Sequence, residues 1–114
     1  SRPPRSAAAP PPRRKALAVS TPSDDPVVTQ LRDRISENDL RIIELINRRV
    51  ALVDELWRHK AEHGIPMHSP ERERSMIALL TRANGGPLSQ DALIRVYRTI
   101  VETTKQEAER LQSG

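Results

Sequence analysis

The sequence predicts an all-α protein, built from one long helix and two shorter ones, that assembles as an intertwined homodimer. Neither glycine nor proline interrupts residues 27–63, and no stretch of the chain shows the alternating pattern of a strand. Within that uninterrupted stretch, apolar residues recur every three or four positions, which is typical of an amphipathic helix. These apolar positions are Leu31, Ile35, Ile42, Leu45, Leu52, Val53 and Leu56.

Turn signals predict where the three helices begin and end. Gly64 ends the first helix, because glycine readily adopts the left-handed conformation that closes a helix. Ser69 is the expected N-cap of the second helix, which runs to about Ala83 and stops at an Asn-Gly-Gly-Pro turn. Ser89 is the expected N-cap of the third helix, whose apolar face begins at Leu93.

The expected helix lengths favour a dimer. The helices would have roughly 35, 14 and 22 residues, so the first would be about 52 Å long. The two shorter helices can cover only part of so long a helix. Since the remaining apolar stripe requires a partner, and a second copy of the chain offers a matching stripe, we expect an intertwined homodimer.

Residues 1–26 differ in composition from the rest of the 114-residue chain. They hold seven of the ten prolines and almost no large apolar side chains, so they cannot bury enough surface to offset the entropy of ordering. They also carry five basic side chains against two acidic ones, which accounts for most of the net charge of +4. We expect a disordered Pro/Arg-rich tail over residues 1–26 and one folded domain over residues 27–114.

The composition excludes several classes of protein. No apolar segment has the length of a signal-peptide core or of a membrane span. Without cysteine there is neither a disulfide framework nor a thiolate zinc site. Trp57 and Tyr97 are too few aromatic residues for the stacking platforms of a single-strand binder. We expect a cytoplasmic protein with no membrane attachment and no specific nucleic-acid partner.

Two basic residues interrupt the apolar stripe of the long helix. The three-four spacing from Leu45 reaches Arg49, then two leucines, and then Lys60. Arg49 and Lys60 are 11 residues apart, which places them on one face about 16 Å apart. Because burial of unpaired cations is costly, these side chains must either extend to solvent or face an anionic ligand. Two such residues on one stripe favour the ligand.

Arg32 adds a third basic residue near the start of the same helix. It lies 17 residues before Arg49, about 100° around the helix axis and about 25 Å away. One subunit could not easily bring all three cations onto one small ligand. An antiparallel partner subunit could supply its own Arg32 instead.

The segment LRDRISENDLRIIELINRRVALVDELWRHK (residues 31–60), followed by PERE (residues 70–73), resembles the all-helical chorismate mutases. The resemblance extends over residues 31–108. An arginine follows the opening leucine, a second lies 17 residues on, a lysine lies 11 beyond that, and an Arg-Glu pair opens the second helix. The residues that match this family motif are Arg32, Arg49, Lys60, Arg72 and Glu73.

The resemblance implies a three-helix chorismate mutase type II fold and the conversion of chorismate to prephenate, in phenylalanine and tyrosine biosynthesis. This pericyclic (Claisen) rearrangement breaks one C–O bond while it forms one C–C bond. It requires no nucleophile, proton transfer, metal or cofactor, and we expect none. Such a reaction is accelerated by holding a dicarboxylate in a compact, chair-like conformer and by stabilising the charge that grows on the ether oxygen.

The resemblance also implies a role for each matched residue. Arg49 and the partner subunit's Arg32 would bind the two carboxylates of the substrate. Lys60 would donate to the ether oxygen and a carboxylate, and Glu73 would accept a hydrogen bond from the ring hydroxyl. Arg72 would support the site from the second helix. The expected catalytic residues are therefore Lys60, Arg49 and Glu73.

Three further positions complete the expected binding residues, and two of them, Ser69 and Ala108, depart from the family pattern. Thr104 lies where the family often has a serine that touches the ring carboxylate. Ser69 replaces a common aspartate, whose capping contacts we expect serine to retain. Ala108 lies where many members have a Gln or Glu that donates to the ether oxygen, and losing such a donor typically costs a few kcal/mol of transition-state stabilisation.

The alanine at position 108 leaves three possibilities: Lys60 acts alone at a reduced rate, a partner reshapes the site, or the substrate differs. The family includes short mutases activated by the first enzyme of the shikimate pathway, and the Asn-Gly-Gly-Pro turn resembles theirs. A 4-amino-4-deoxychorismate mutase or an isochorismate pyruvate-lyase is an alternative, although Glu73 favours an ordinary mutase. A non-catalytic helical interaction module is a further alternative, but it leaves the spacing of Arg49 and Lys60 unexplained.

Overall fold

Three α-helices form the secondary structure of residues 25–114, which are the residues that this computed structural model describes. Their bounds are Pro26–Glu62 for α1, Pro70–Ala83 for α2 and Gln90–Ser113 for α3. The described residues contain no strand. With lengths of 37, 14 and 24 residues, the helices confirm the predicted all-α class and the order of one long and two shorter elements.

Asp25, which the sequence analysis assigned to the tail, caps the first turn of α1. The Oδ1 atom of Asp25 accepts hydrogen bonds from the backbone N–H groups of Val27 (2.8 Å) and Val28 (3.2 Å). Pro26 has no N–H to satisfy and occupies the first helical position, where its fixed φ suits the helix. The helix therefore begins one residue earlier than predicted. The rest of the predicted tail, residues 1–24, lies outside the described residues.

The end of α1 is closed as predicted by Gly64, whose φ is +66°. This left-handed conformation lets the backbone N–H of Ile65 donate to the carbonyl oxygen of Lys60 at 2.9 Å, a bond typical of a helix that ends in glycine. The chain then turns, and the Nζ atom of Lys60 donates to the carbonyl oxygen of Met67 at 3.3 Å. Lys60 thus holds the loop through both its backbone and its side chain.

The start of α2 departs from prediction in one respect, because Ser69 stands at the N-cap position but its side chain makes no capping hydrogen bond. Its backbone ψ is 85°, whereas Ser89, which does cap α3, has a ψ of 158°. The extended backbone of Ser89 directs its Oγ atom to the N–H of Ala92 at 3.2 Å. The side-chain cap that we expected at Ser69 is therefore wrong, whereas its main-chain contact is present, because its carbonyl oxygen accepts from the N–H of Arg72 at 3.0 Å.

The structure divides into two units, Ser1–Arg41 and Ile42–Gly114, which we describe separately. Of the first unit, residues 25–41 are described, and every one of them except Val28 is exposed. In the second unit α2 packs against α3. The buried residues among those described are one from α1 and four from α3, namely Trp57, Leu93, Val101, Thr104 and Ala108. This is a small core for helices of this length.

The apolar stripe predicted for α1 stays largely open to solvent in the single chain. Its members in the first unit, Leu31 and Ile35, are 49% and 58% exposed. In the second unit Leu45, Leu52 and Leu56 are also exposed, at 49–58%. The single chain therefore does not bury the side chains whose periodicity defines its longest helix.

Side-chain hydrogen bonds join the second half of α1 to the end of α3. The Nε2 atom of Gln112 donates to the backbone oxygen and to Oδ1 of Asp54, both at 3.3 Å. Arg58, one turn further along α1, donates to Oδ2 of the same carboxylate at 3.0 Å. The hydrogen bond from Arg58 holds the pKa of Asp54 below its ordinary value of 3.8, and Gln112 acts in the same direction.

None of the three described helices is both long and apolar enough to cross a membrane. The cytoplasmic location expected from the sequence stays a prediction.

Candidate active site

A pocket of about 290 Å³ opens within the second unit, with walls from all three helices and from the loop that follows α1. Its apolar wall consists of Leu52, Val53, Leu56, Trp57, Met67 and Val101. Its charged side chains are Arg49, Lys60, Arg72, Glu73 and Lys105. Four cations and one carboxylate therefore surround a cavity of small-molecule size.

The spacing of α1 explains how two of these cations reach the same pocket. Arg49 and Lys60 lie three helical turns apart, and the residues of the stripe between them form the apolar wall. Both side chains are half-buried rather than fully exposed. The structure thus brings together the two basic residues that the sequence analysis found on the apolar stripe.

Arg49 is anchored from α3. Its Nη1 atom donates to Oγ1 of Thr104 at 2.6 Å, and its guanidinium carbon lies 6.0 Å from the centre of the Tyr97 ring. The Thr104 hydroxyl donates in turn to the carbonyl oxygen of Ile100 at 2.7 Å. Because the planar guanidinium is fixed on one edge, its remaining N–H groups are held in a defined orientation.

Lys60 has spare donors. The only hydrogen bond of its ammonium group within residues 25–114 is the 3.3 Å contact with the carbonyl oxygen of Met67. An ammonium group has three N–H bonds, so two remain for a ligand. The hydrogen bond to the loop orients the ammonium and leaves its other N–H groups available to a ligand.

Arg72 and Glu73 lie in the first turn of α2 and differ in surroundings. The side chain of Arg72 is exposed and has no hydrogen bond or ion pair within residues 25–114, whereas its backbone N–H donates to the carbonyl oxygen of Ser69 at 3.0 Å. Glu73 is half-buried and has a loose ion pair with Arg98, at 3.8 Å from Nε to Oε2. That distance is too long for a strong hydrogen bond, so the carboxylate of Glu73 can still accept one from a ligand. The neighbouring Glu71 and Arg74 are exposed.

The residues that form this pocket lie in a segment that matches a known protein family. The model of the family described as chorismate mutase type II matches residues 31–109, most of the chain. The chain is a member of the chorismate mutase type II family. The resemblance stated from the sequence motif is thereby confirmed.

Two similar proteins are several times longer than this chain. The bifunctional chorismate mutase/prephenate dehydratase of Aquifex aeolicus (strain VF5) is 36% identical over 76 residues, which are 63% of this chain and 21% of that protein. The T-protein of Enterobacter agglomerans is 40% identical over 76 residues, 62% of this chain and 20% of that protein. The chain thus spans about a fifth of the length of these curated relatives.

A solved chorismate mutase has the same fold. Form II of the enzyme from Thermus thermophilus superposes with a TM-score of 0.70 at 30% sequence identity, and the match covers 74% of this chain and 96% of that one. The three-helix chorismate mutase type II fold expected from the sequence is therefore confirmed.

Three of the residues expected to bind substrate in this chorismate mutase family member lie away from the pocket surface. Thr104 and Ala108 are fully buried, and neither lines the pocket. Thr104 acts on the site through its hydrogen bond to Arg49. Arg32 belongs to the first unit, is exposed and is not a lining residue. The other expected residues, Arg49, Lys60, Ser69, Arg72 and Glu73, all line the pocket.

The sequence analysis missed two pocket residues of α3, Tyr97 and Lys105. Together with Val101 they recur at intervals of four residues, so they share one face of the helix. Tyr97 entered the sequence analysis only as one of the two aromatic residues. The periodicity that continues from Tyr97 through Val101 was the signal that could have found Lys105.

The three histidines are exposed. His59, Glu62 and His63 at the end of α1 have potential ligand atoms within 4.8 Å of one another and could hold a metal ion. They do not line the pocket of this chorismate mutase family member. The proposed chemistry makes no use of them.

Proposed function

We propose that this chain is an isomerase that converts chorismate to prephenate, a step towards phenylalanine and tyrosine. The observation that carries this proposal is the excess of cations around the pocket, Arg49, Lys60, Arg72 and Lys105 against the single carboxylate of Glu73. Chorismate carries two carboxylates, an ether oxygen and a ring hydroxyl. A cationic pocket with one half-buried acceptor is complementary to those groups.

The reaction is intramolecular, so no atom is gained or lost. The ether C–O bond of chorismate breaks while a C–C bond forms between the enolpyruvyl side chain and the ring, and negative charge develops on the ether oxygen. Fixed cations in a partly dry pocket stabilise that charge and hold the two ends of the substrate close together. The apolar wall between Arg49 and Lys60 excludes water from the folded substrate.

Each residue has a role in this proposal. Arg49, anchored by Thr104, binds one carboxylate with its free guanidinium edge. Lys60 donates to the ether oxygen and to a carboxylate with the N–H groups that Met67 leaves free. Glu73 accepts a hydrogen bond from the ring hydroxyl. Arg72 adds positive charge from α2.

Ser69 completes this side of the pocket. Ser69 lines the cavity, and its side chain makes no helix-capping hydrogen bond. We assign it a polar contact with the substrate, which replaces the capping role expected from the sequence.

The proposed enzyme is an intertwined homodimer in which the partner subunit's Arg32 binds the second carboxylate. Exposed apolar residues of α1 support this assembly. Both the part of α1 before position 42 and the part after it carry apolar side chains that are exposed to solvent in the single chain. A second copy of α1 offers the same stripe. Arg32 is exposed and is absent from the lining of its own chain's pocket, which agrees with a role in the partner's site.

Mixing two inactive variants tests whether Arg32 acts in the partner's site. We expect Arg32→Ala and Arg49→Ala to be nearly inactive separately, because each removes a carboxylate ligand. After denaturation and refolding together, half of the dimers should be mixed, and each mixed dimer should contain one intact site. Activity should return to about a quarter of the wild-type value.

The same mixture contradicts the proposal if activity does not return. With Arg32 acting in its own chain's site, each site of a mixed dimer would lack one arginine. Two controls accompany this mixture. In one, Arg32→Ala is refolded with Arg48→Ala, which changes an exposed residue outside the pocket. In the other, Arg49→Ala is refolded alone. A compact monomer by sedimentation at micromolar concentration would exclude this assembly.

Consumption of chorismate by the purified protein tests the proposed function. The assay is run alone and with the first enzyme of the shikimate pathway, the proposed activating partner. Parallel incubations with 4-amino-4-deoxychorismate and isochorismate test the sister activities. Prephenate formation supports the proposal, whereas turnover of only one of the other substrates assigns the chain to that sister enzyme. No activity under any condition favours a non-catalytic helical module.

A further inference from the structure

Lys105 is a fourth cation of the pocket and has no assigned role. It lies on the face of α3 that carries Tyr97 and Val101 into the pocket. Its side chain is half-buried. Within residues 25–114 its ammonium group has no hydrogen bond and no ion pair, although Glu102 and Glu109 lie one turn away on the same helix.

A half-buried, unpaired ammonium beside other cations is unfavourable for the free protein. Lys105 shares the pocket with Arg49 and Lys60, and like charges in a partly desolvated cavity repel. The single carboxylate of the pocket, Glu73, has its ion pair with Arg98. The arrangement becomes favourable once a dianionic ligand occupies the cavity.

Among the α3 residues that line the pocket, Lys105 alone carries a positive charge. Val101 is apolar, and the ring of Tyr97 faces the guanidinium of Arg49. Ala108 is fully buried and has no side-chain donor. A lysine side chain extends over roughly one helical turn, about 5.4 Å, so Lys105 can serve positions near the neighbouring turns of α3.

We infer that Lys105 is a substrate-binding residue that donates to the bound dicarboxylate from α3, whereas Lys60 donates from the end of α1. Two ammonium groups then face the ether oxygen and its adjacent carboxylate, and the alanine at position 108 needs no substitute from a partner protein. This inference rests on the proposed mutase function.

Kinetics of Lys105→Met, Lys105→Arg and the matched control Arg95→Met test the inference. Arg95 is an exposed cation on the same helix and does not line the pocket. We expect Lys105→Met to lower kcat/KM for chorismate roughly 10- to 100-fold, Lys105→Arg to restore most of the loss, and Arg95→Met to behave as wild type.

Thermal unfolding separates binding from a structural role. Because removing Lys105 relieves repulsion in the free protein, the unfolding midpoint of Lys105→Met should equal or exceed that of the wild type. Wild-type kcat/KM in Lys105→Met would overturn the inference. A lowered midpoint that accompanies the loss of activity, without rescue by arginine, would also overturn it.

A binding measurement distinguishes failure of this inference from failure of the proposed function. A stable bicyclic dicarboxylate, shaped like the compact transition state, is titrated calorimetrically into each variant. If the wild type does not turn over chorismate but binds this probe more tightly than Lys105→Met does, the proposed reaction fails and Lys105 remains a dicarboxylate ligand. Equal affinity of the two proteins, or no binding by the wild type, overturns the role of Lys105.

Discussion

Replacing Lys60 by alanine is expected to lower kcat/KM for chorismate by about a thousandfold. Lys60 places an ammonium with two free N–H groups at the pocket, and a single preorganised donor to developing negative charge contributes about 10²–10³ in rate. The loss should appear mainly in kcat, because charge on the ether oxygen grows only in the transition state. Steady-state assays on chorismate measure it.

Arg48→Ala is the matched control for this prediction. Arg48 is an exposed cation on the same helix and does not line the pocket, so its removal changes the net charge equally. Its kcat/KM should stay within about twofold of wild type. If Lys60→Ala retained more than a tenth of wild-type kcat/KM, Lys60 would not be the main donor.

Replacing Arg49 by alanine is expected to lower kcat/KM about a thousandfold as well, with a large part of the loss in KM. The guanidinium binds a carboxylate in both the ground state and the transition state, so its removal weakens both. Arg49→Lys should recover only part of the activity, because an ammonium cannot form two parallel hydrogen bonds with a carboxylate. Wild-type kinetics in Arg49→Lys would contradict bidentate binding.

Thr104→Val examines the anchor of Arg49 separately from its charge. Valine preserves the shape of threonine but removes the oxygen that accepts from Nη1 at 2.6 Å. We expect a loss of about tenfold in kcat/KM, whereas Thr104→Ser, which keeps the hydroxyl, should stay near wild type. Equal activity in the valine and serine variants would show that the hydrogen bond does not position Arg49.

Periodicity and turn chemistry predicted the helices because both are local properties of the chain. The uninterrupted three-four spacing of α1, the glycine at position 64 and the serine at position 89 each act within a few residues. The same spacing also identified Arg49 and Lys60, since their positions on an apolar stripe conflict with simple burial. These parts of the site depend on one helix.

The remaining parts of the site depend on contacts between elements, which the sequence pattern does not encode. The backbone of Ser69 is set by the loop that Lys60 holds, so its hydroxyl turns away from the cap. Thr104 is buried against α1 and acts through Arg49. Lys105 stands in the polar run Lys-Gln-Glu, which by composition resembles a solvent-exposed face. Its spacing of four residues from Val101 places it on the pocket face of α3, but only packing shows that this face meets the cavity.

The hydrogen bonds that end α1 couple the orientation of Lys60 in the site to local unfolding of the last helical turn. The amide of Ile65 donates to the carbonyl of Lys60, while the ammonium of Lys60 holds the loop at Met67. Fraying of this last turn releases the amide and frees the ammonium in the same event. Hydrogen-exchange protection at Ile65 therefore reports the fraction of molecules in which Lys60 is oriented, and a substrate that binds Lys60 should slow exchange at an amide it never touches.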